Sequence, residues 1–162
     1  HENVDVNLAP TDIKETSFLD KILKEAKGIS FIVLNLKTSS GKVISHNVYW
    51  ISSDKDFKPV NELAETNINI MFLKDETGKT EHEWTVQFTN STDRIAFFIR
   101  PQLMLDGEEI LPSFWSENYF TLAPGESTTG TVSCPAAELN NGDPVLQVSG
   151  WNVSVIEIDL EK

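Results

Sequence analysis

The stretch Glu81-His82-Glu83-Trp84-Thr85-Val86-Gln87-Phe88-Thr89 decides the fold. His82, Trp84, Val86 and Phe88 alternate with Glu83, Thr85, Gln87 and Thr89. A period of two puts the first set on one face of an extended chain and the second on the other. One apolar and one polar face mark an antiparallel strand covered on one side only.

Working outward, residues 67–74 read as a strand, and Asp75-Glu76-Thr77-Gly78-Lys79 is a hairpin turn into the strand just quoted. Asn90-Ser91-Thr92-Asp93 turns the chain into the strongly apolar residues 94–105. Pro101 lies inside that run, and a proline donates nothing to a ladder, so the strand is expected at an edge or bulged there. Asp106-Gly107, Ala123-Pro124-Gly125-Glu126 and Asn140-Asn141-Gly142-Asp143 separate further strands at residues 110–115, 119–122, 127–134, 145–150 and 153–160. Short strands at this spacing predict an all-β fold, an immunoglobulin-like antiparallel β-sandwich of Greek-key type. Its expected core is Phe31, Val33, Trp84, Val86, Phe88, Phe97, Ile99 and Trp151.

The N-terminal third has a different texture. Residues 4–8 alternate and read as a short strand. One helix near the N-terminus is expected over residues 17–27: Ser17 is an N-cap with Asp20 three residues on, Phe18, Leu19, Ile22, Leu23 and Ala26 share a face, and Gly28 ends it. Residues 29–37 read as a buried strand, Thr38-Ser39-Ser40-Gly41-Lys42 as a turn, and residues 43–51 as the return strand. The polar tract that follows, with Pro59, lacks alternation and marks the domain boundary. The expected division is 1–55 and 56–162.

Composition narrows the function. The 162 residues carry 25 acidic and 13 basic side chains, a formal charge of -12. Such a surface repels phosphate backbones and anionic lipid, so neither nucleic acid nor a membrane is an expected partner. No run of about 18 apolar residues offers a membrane span. The single cysteine, Cys134, excludes an intrachain disulfide. The first residue is His1, not Met, so a processed protein or a piece cut from a longer polypeptide is expected.

Motifs for chemistry are sparse. His1, His46 and His82 stand at no metal-ligand spacing, and no GxSxG, P-loop or GxGxxG is present. Cys134 reads as a small buried apolar residue. Glycosidases use two carboxylates about 5–10 Å apart, but Glu108 and Glu109 are neighbours on a strand and point to opposite faces, and with Glu117 they read as solvated turn charges. The loops Ser53-Asp54-Lys55-Asp56 and Asn140-Asn141-Gly142-Asp143 carry oxygen ligands suited to Ca²⁺, yet neither is an EF-hand loop and turn chemistry accounts for both. No catalytic residue, metal or cofactor is expected. The tract Phe114-Trp115-Ser116-Glu117-Asn118-Tyr119-Phe120 admits two readings: core filling between sheets, or a carbohydrate platform using Trp115, Glu117 and Tyr119. Asn90-Ser91-Thr92 and Asn152-Val153-Ser154 match the N-glycosylation pattern.

Four segments in order carry a family resemblance: Arg94-Ile95-Ala96-Phe97-Phe98-Ile99-Arg100 with Leu105-Asp106-Gly107; Glu109-Ile110-Leu111-Pro112 with Trp115 and Asn118-Tyr119-Phe120; Leu122-Ala123-Pro124-Gly125-Glu126-Ser127; and Val148-Ser149-Gly150-Trp151-Asn152-Val153. Together they resemble the C-terminal immunoglobulin-like domain of family 2 glycoside hydrolases, of the exo-β-glucosaminidase and β-mannosidase type. Ser40-Gly41-Lys42-Val43-Ile44-Ser45 with Asn47-Val48-Tyr49-Trp50-Ile51-Ser52 resembles the close of the preceding sandwich domain. The resemblance implies that residues 1–55 are trailing strands of that domain. It also implies a parent β-glycosidase, periplasmic or extracellular in a bacterium, that releases single sugar units from chain ends. Its catalytic glutamates would sit in a (β/α)₈ barrel that this chain lacks. The chain is then a non-catalytic accessory region whose partner is that barrel domain. The alternative is a carbohydrate-binding module that takes an oligosaccharide on Trp115 and Tyr119. An incomplete first sandwich would leave an open sheet edge, coverable by a second copy of the chain as a homo-oligomer.

Overall fold

The computed structural model of the chain describes residues 3–17, 19–140 and 142–160. It divides into two compact units, residues 1–60 and 61–162.

The first unit is a helical turn and a hairpin. Helix α1 spans only Asp20–Glu25. The expected start at Ser17 fails because Leu19 occupies the cap position and no side chain caps the helix. Phe18 lies outside the described residues. Gly28, at φ 62, ends the segment in the left-handed region that a glycine enters freely. Residues 4–8 form no strand; alternation makes a strand only where a partner edge takes its hydrogen bonds. Strands β1 (Ile29–Lys37) and β2 (Val43–Ser52) pair antiparallel, Phe31 opposite Trp50 and Val33 opposite Val48. Gly41, at φ 85, closes the turn by donating to the Thr38 carbonyl at 2.9 Å. Residues 29–37 were expected to be buried, with Phe31 and Val33 in a core. Both are only half-buried, and no residue of either strand is fully buried. Two paired strands by themselves bury little of their side-chain surface.

The second unit is a sandwich. Its strands are β3 (Asn69–Thr77), β4 (Glu81–Thr89), β5 (Ala96–Leu105), β6 (Glu108–Glu109), β7 (Phe114–Trp115), β8 (Phe120–Leu122), β9 (Ser127–Pro135), β10 (Val145–Ser149) and β11 (Ile156–Asp159). One sheet runs β3-β4-β9-β7 and the other β11-β10-β5-β6, with β8 also on β5. Every named ladder is antiparallel.

The period-two reading of β4 is met residue by residue: His82, Trp84, Val86 and Phe88 are buried and the residues between them are not. Trp84, Val86 and Phe88 share one continuous core with Ile99, Leu103, Leu122, Leu146 and Val148 of the facing sheet. Phe88 and Phe120 join the sheets with ring centroids 5.1 Å apart. Burying each large apolar side chain is worth about 1.5–3 kcal/mol.

Pro101 is fully buried opposite Val148 on β10. The other edge of β5 is shared: β8 pairs with Ala96 and Ile99, β6 with Met104 and Leu105. Pro101 falls in the gap between them, where a missing donor costs no ladder bond. Trp151 departs from expectation. It stands 55% exposed, not in the core. Gly150 donates to the Val153 carbonyl at 3.1 Å, so the chain turns at this tryptophan, and Asn152 and Val153 go inside instead.

Candidate functional site

Among the described residues, two side-chain clusters bring together groups of the kinds that carry chemistry. The first surrounds His82. A bulge between Phe72 and Lys74 shifts the parity of β3, so that Asp75 comes opposite Trp84 and Thr77 opposite His82. His82 Nε2 is thereby bonded to Asp75 Oδ1, and the imidazole stacks on Trp84 at 4.1 Å between centroids and 15° between planes. Cys134 is the cross-strand partner of His82 on the other side. Cysteine, histidine and aspartate side by side invite a nucleophile reading. Burial refuses it: Cys134 is wholly buried and His82 is 3% exposed. Burial pushes the Cys134 thiol up from its ordinary range, and the charges of Glu138 and Glu81 push the same way. A neutral, enclosed thiol is inert. The cluster is a polar plug at one end of the core.

The second cluster lies on the outer face of β5, where Phe98, Arg100 and Gln102 alternate with buried Ile99, Pro101 and Leu103. Arg100 Nη2 donates to both oxygens of Glu109, at 3.1 and 2.8 Å, and Gln102 Nε2 donates to Glu109 Oε2 at 3.0 Å. The Arg100 guanidinium stands 5.9 Å from the centroid of the Tyr119 ring, and that ring lies 5.1 Å from Phe98. Glu109 was expected to be a solvated turn charge; it is instead the acceptor of this network. Glu108, its neighbour, is exposed.

The aromatic tract splits. Trp115 pairs with Val132 on β9, packs against the core and donates from its indole to Ser113 Oγ at 3.1 Å. Tyr119 is 49% exposed, on the Phe98 and Arg100 side of the other sheet. Glu117 lays its Cβ over Gly130 of β9, 3.3 Å from where a glycine-130 Cβ would stand. Trp115 and Glu117 thus lie along β9, and Tyr119 lies beside Phe98 and Arg100 of the other sheet. The signal that sequence reading missed is the bulge between Ala96 and Ile99, which turns Phe98 outward beside Tyr119.

The remaining candidates are occupied structurally. His46 Nδ1 is hydrogen-bonded to Asn35 Oδ1 at 2.8 Å across the hairpin. In the Asp54 loop the Ser52 hydroxyl donates to Asp54 Oδ1 at 2.6 Å and the Asp56 amide follows at 3.2 Å. These bonds, the Ser52 one foremost, hold the Asp54 carboxyl below its ordinary range. Asn140 takes φ 47 after a 3-10 turn over Ala136–Leu139. His1 and Asn141 lie outside the described residues. Among the described residues, no three metal-binding side chains gather, and no helix is long and apolar enough to cross a membrane.

Comparison with known proteins fits a sandwich with this interior. Residues 47–153 match the family model described as the exo-β-D-glucosaminidase Ig-fold domain. An exo-β-D-glucosaminidase of Arthroderma benhamiae is 32% identical over 166 residues, covering 87% of this chain and 17% of its own length. One from Amycolatopsis orientalis is 29% identical, covering 72% and 14%. The crystal structure of the Amycolatopsis orientalis exo-chitosanase superposes with a TM-score of 0.73 at 25% identity, over 83% of this chain and 18% of that one. The chain belongs to the exo-β-D-glucosaminidase Ig-fold domain family. It spans less than a fifth of the length of these relatives.

Proposed function

We propose that this chain is a non-catalytic accessory region of a larger glycoside hydrolase of the exo-β-D-glucosaminidase type, and that it braces the catalytic barrel domain of that polypeptide. The observation that carries the reading is the interior of the second unit. Trp84, Phe88, Ile99, Leu103 and Leu146 are fully buried between the sheets. Two carboxylates have no cleft there in which to face each other across a glycosidic bond. In this reading residues 1–55 are the trailing strands of the preceding sandwich domain. What supports this is the apolar surface of the hairpin: Leu36, Val43 and Ile44 are exposed, as on strands that a further layer covers in a complete sandwich. A polymeric substrate such as chitosan does not cross a membrane, so the parent enzyme works outside the cytoplasm. The relatives come from fungi as well as actinomycetes, which leaves a bacterial source as one of two.

The test is direct. The purified chain is expected to fold, with a β-type circular dichroism spectrum, and to release no nitrophenol from p-nitrophenyl β-D-glucosaminide. Turnover that a single Glu→Gln change abolishes would overturn the reading.

A further inference from the structure

We infer that Asp106 is a site of spontaneous covalent modification: its side chain closes on the Gly107 amide, and the ring reopens into an isoaspartyl link that unseats β6. Three observations carry it. Asp106 and Gly107 are the only Asp-Gly pair in the sequence. They form the two-residue turn between β5 and β6, at φ 52 and φ 85, with Leu105 paired to Glu108 across it. Both are exposed, and among the described residues no group bonds the Asp106 carboxyl or the Gly107 amide. Gly107 has no side chain to hinder approach to its nitrogen, and beyond its chain neighbours nothing lies within 4 Å of where its Cβ would stand. Carboxyl and amide are thus free to react with each other.

The step balances without an oxidant or a co-reactant other than water. The Gly107 nitrogen attacks Asp106 Cγ. The N–Cγ bond forms, a Cγ–O bond breaks, and the oxygen leaves as water with the amide hydrogen, closing a five-membered succinimide. Water then opens the ring. Attack at Cγ restores aspartate. Attack at the main-chain carbonyl of Asp106 breaks its bond to the Gly107 nitrogen and leaves the chain running through Cβ and Cγ, at the original mass. That link adds one atom to the main chain between Leu105 and Glu108. Turn geometry and loop length set the register of a hairpin, so the pairs Leu105–Glu108 and Met104–Glu109 are thrown out of step. Strand β6 is only Glu108–Glu109, and Glu109 is the acceptor for Arg100 and Gln102. The modification therefore reaches the network on the outer face of β5.

The purified chain is held in warm, mildly acidic buffer for several weeks and digested. Electron-transfer fragmentation then separates isoaspartate from aspartate at equal mass. Isoaspartate is expected at position 106 at least tenfold faster than at Asp93, which is also exposed but precedes Arg94. A form lighter by one water is expected on the way, and Asp106→Glu, which cannot close the five-membered ring, is expected to yield neither. The isomerised fraction is expected to unfold at a lower urea midpoint than the unmodified chain. Accumulation at position 106 no faster than at Asp93 overturns the inference. So does a rate in the native chain at least tenfold below that in guanidinium, because the turn then shields the pair. An isomerised fraction with the original midpoint overturns the claim that the link unseats β6.

Discussion

Asn152 Nδ2 donates to the Ala64 carbonyl at 2.9 Å, across 88 positions of sequence. The same amide donates to the Ile95 carbonyl at 2.8 Å, and its oxygen accepts from the Phe97 amide at 2.9 Å. One buried side chain thus ties the entry of the sandwich to the start of β5 and to the turn before β11. Replacing it with alanine takes the partner from three backbone groups on two segments. Asn152→Ala is expected to destabilise the second unit by about 3 kcal/mol, read as a lower urea midpoint with an unchanged slope. A loss below about 0.5 kcal/mol, the range of ordinary surface changes, would show that the amide is not a tie.

Asn90 plays the same part at the other end. It is wholly buried, its Nδ2 faces the carbonyls of Arg94, Leu122 and Ala123, and its Oδ1 accepts from the amide and hydroxyl of Thr92. Both glycosylation triplets therefore begin on an asparagine with no room for a glycan. Mass spectrometry of the soluble, folded chain secreted from a yeast host is expected to find Asn90 and Asn152 unmodified. A folded fraction carrying a glycan on either would contradict the burial.

Cys134 gives a chemical and a pH test. The thiol is expected to resist Ellman's reagent in the native chain and to react at once in 6 M guanidinium, a concentration chosen to unfold most domains. Its raised pKa has a definite sign. The unfolded thiol releases its proton near its ordinary value of 9.0 while the folded thiol keeps it. The native state then binds more protons, so this group's contribution makes stability fall as pH rises above about 9. Cys134→Ser removes that component of the alkaline slope. An unchanged slope would place the alkaline sensitivity elsewhere.

What the sequence disclosed follows a physical divide. Trp84, Val86 and Phe88 were legible because period two reports the backbone itself and the half-buried environment it meets. The family segments were legible because they hold turn residues and Asn152. Trp151 was misread as core because a tryptophan says nothing of the turn at Gly150 that swings it outward. Glu109 was read as a free turn charge because its acceptor role depends on Arg100 and Gln102 being aligned by register. The pairing of Phe98 with Tyr119 was invisible, since a one-residue bulge is not written in periodicity. Helix α1 came out short because amphipathic spacing promises a face without supplying the surface that stabilises it.

The hairpin supplies the last test. Phe31 and Trp50 face each other across β1 and β2, yet the strands contain no buried residue, whereas β4, β5, β9 and β10 each contain several. Amide protection follows the free energy of the opening that exposes each bond, and a hairpin with few buried contacts opens without unfolding its neighbours. Native-state hydrogen exchange on the isolated chain is therefore expected to show two classes. Amides of Val86, Ile99, Val132 and Leu146 should exchange only through global unfolding of the second unit. Those of Val33 and Val48 should exchange at least a hundredfold faster, through local opening. If both sets exchange with one common free energy, the two units unfold as one. The hairpin's stability would then come from within this chain and not from a layer supplied by the rest of a parent enzyme.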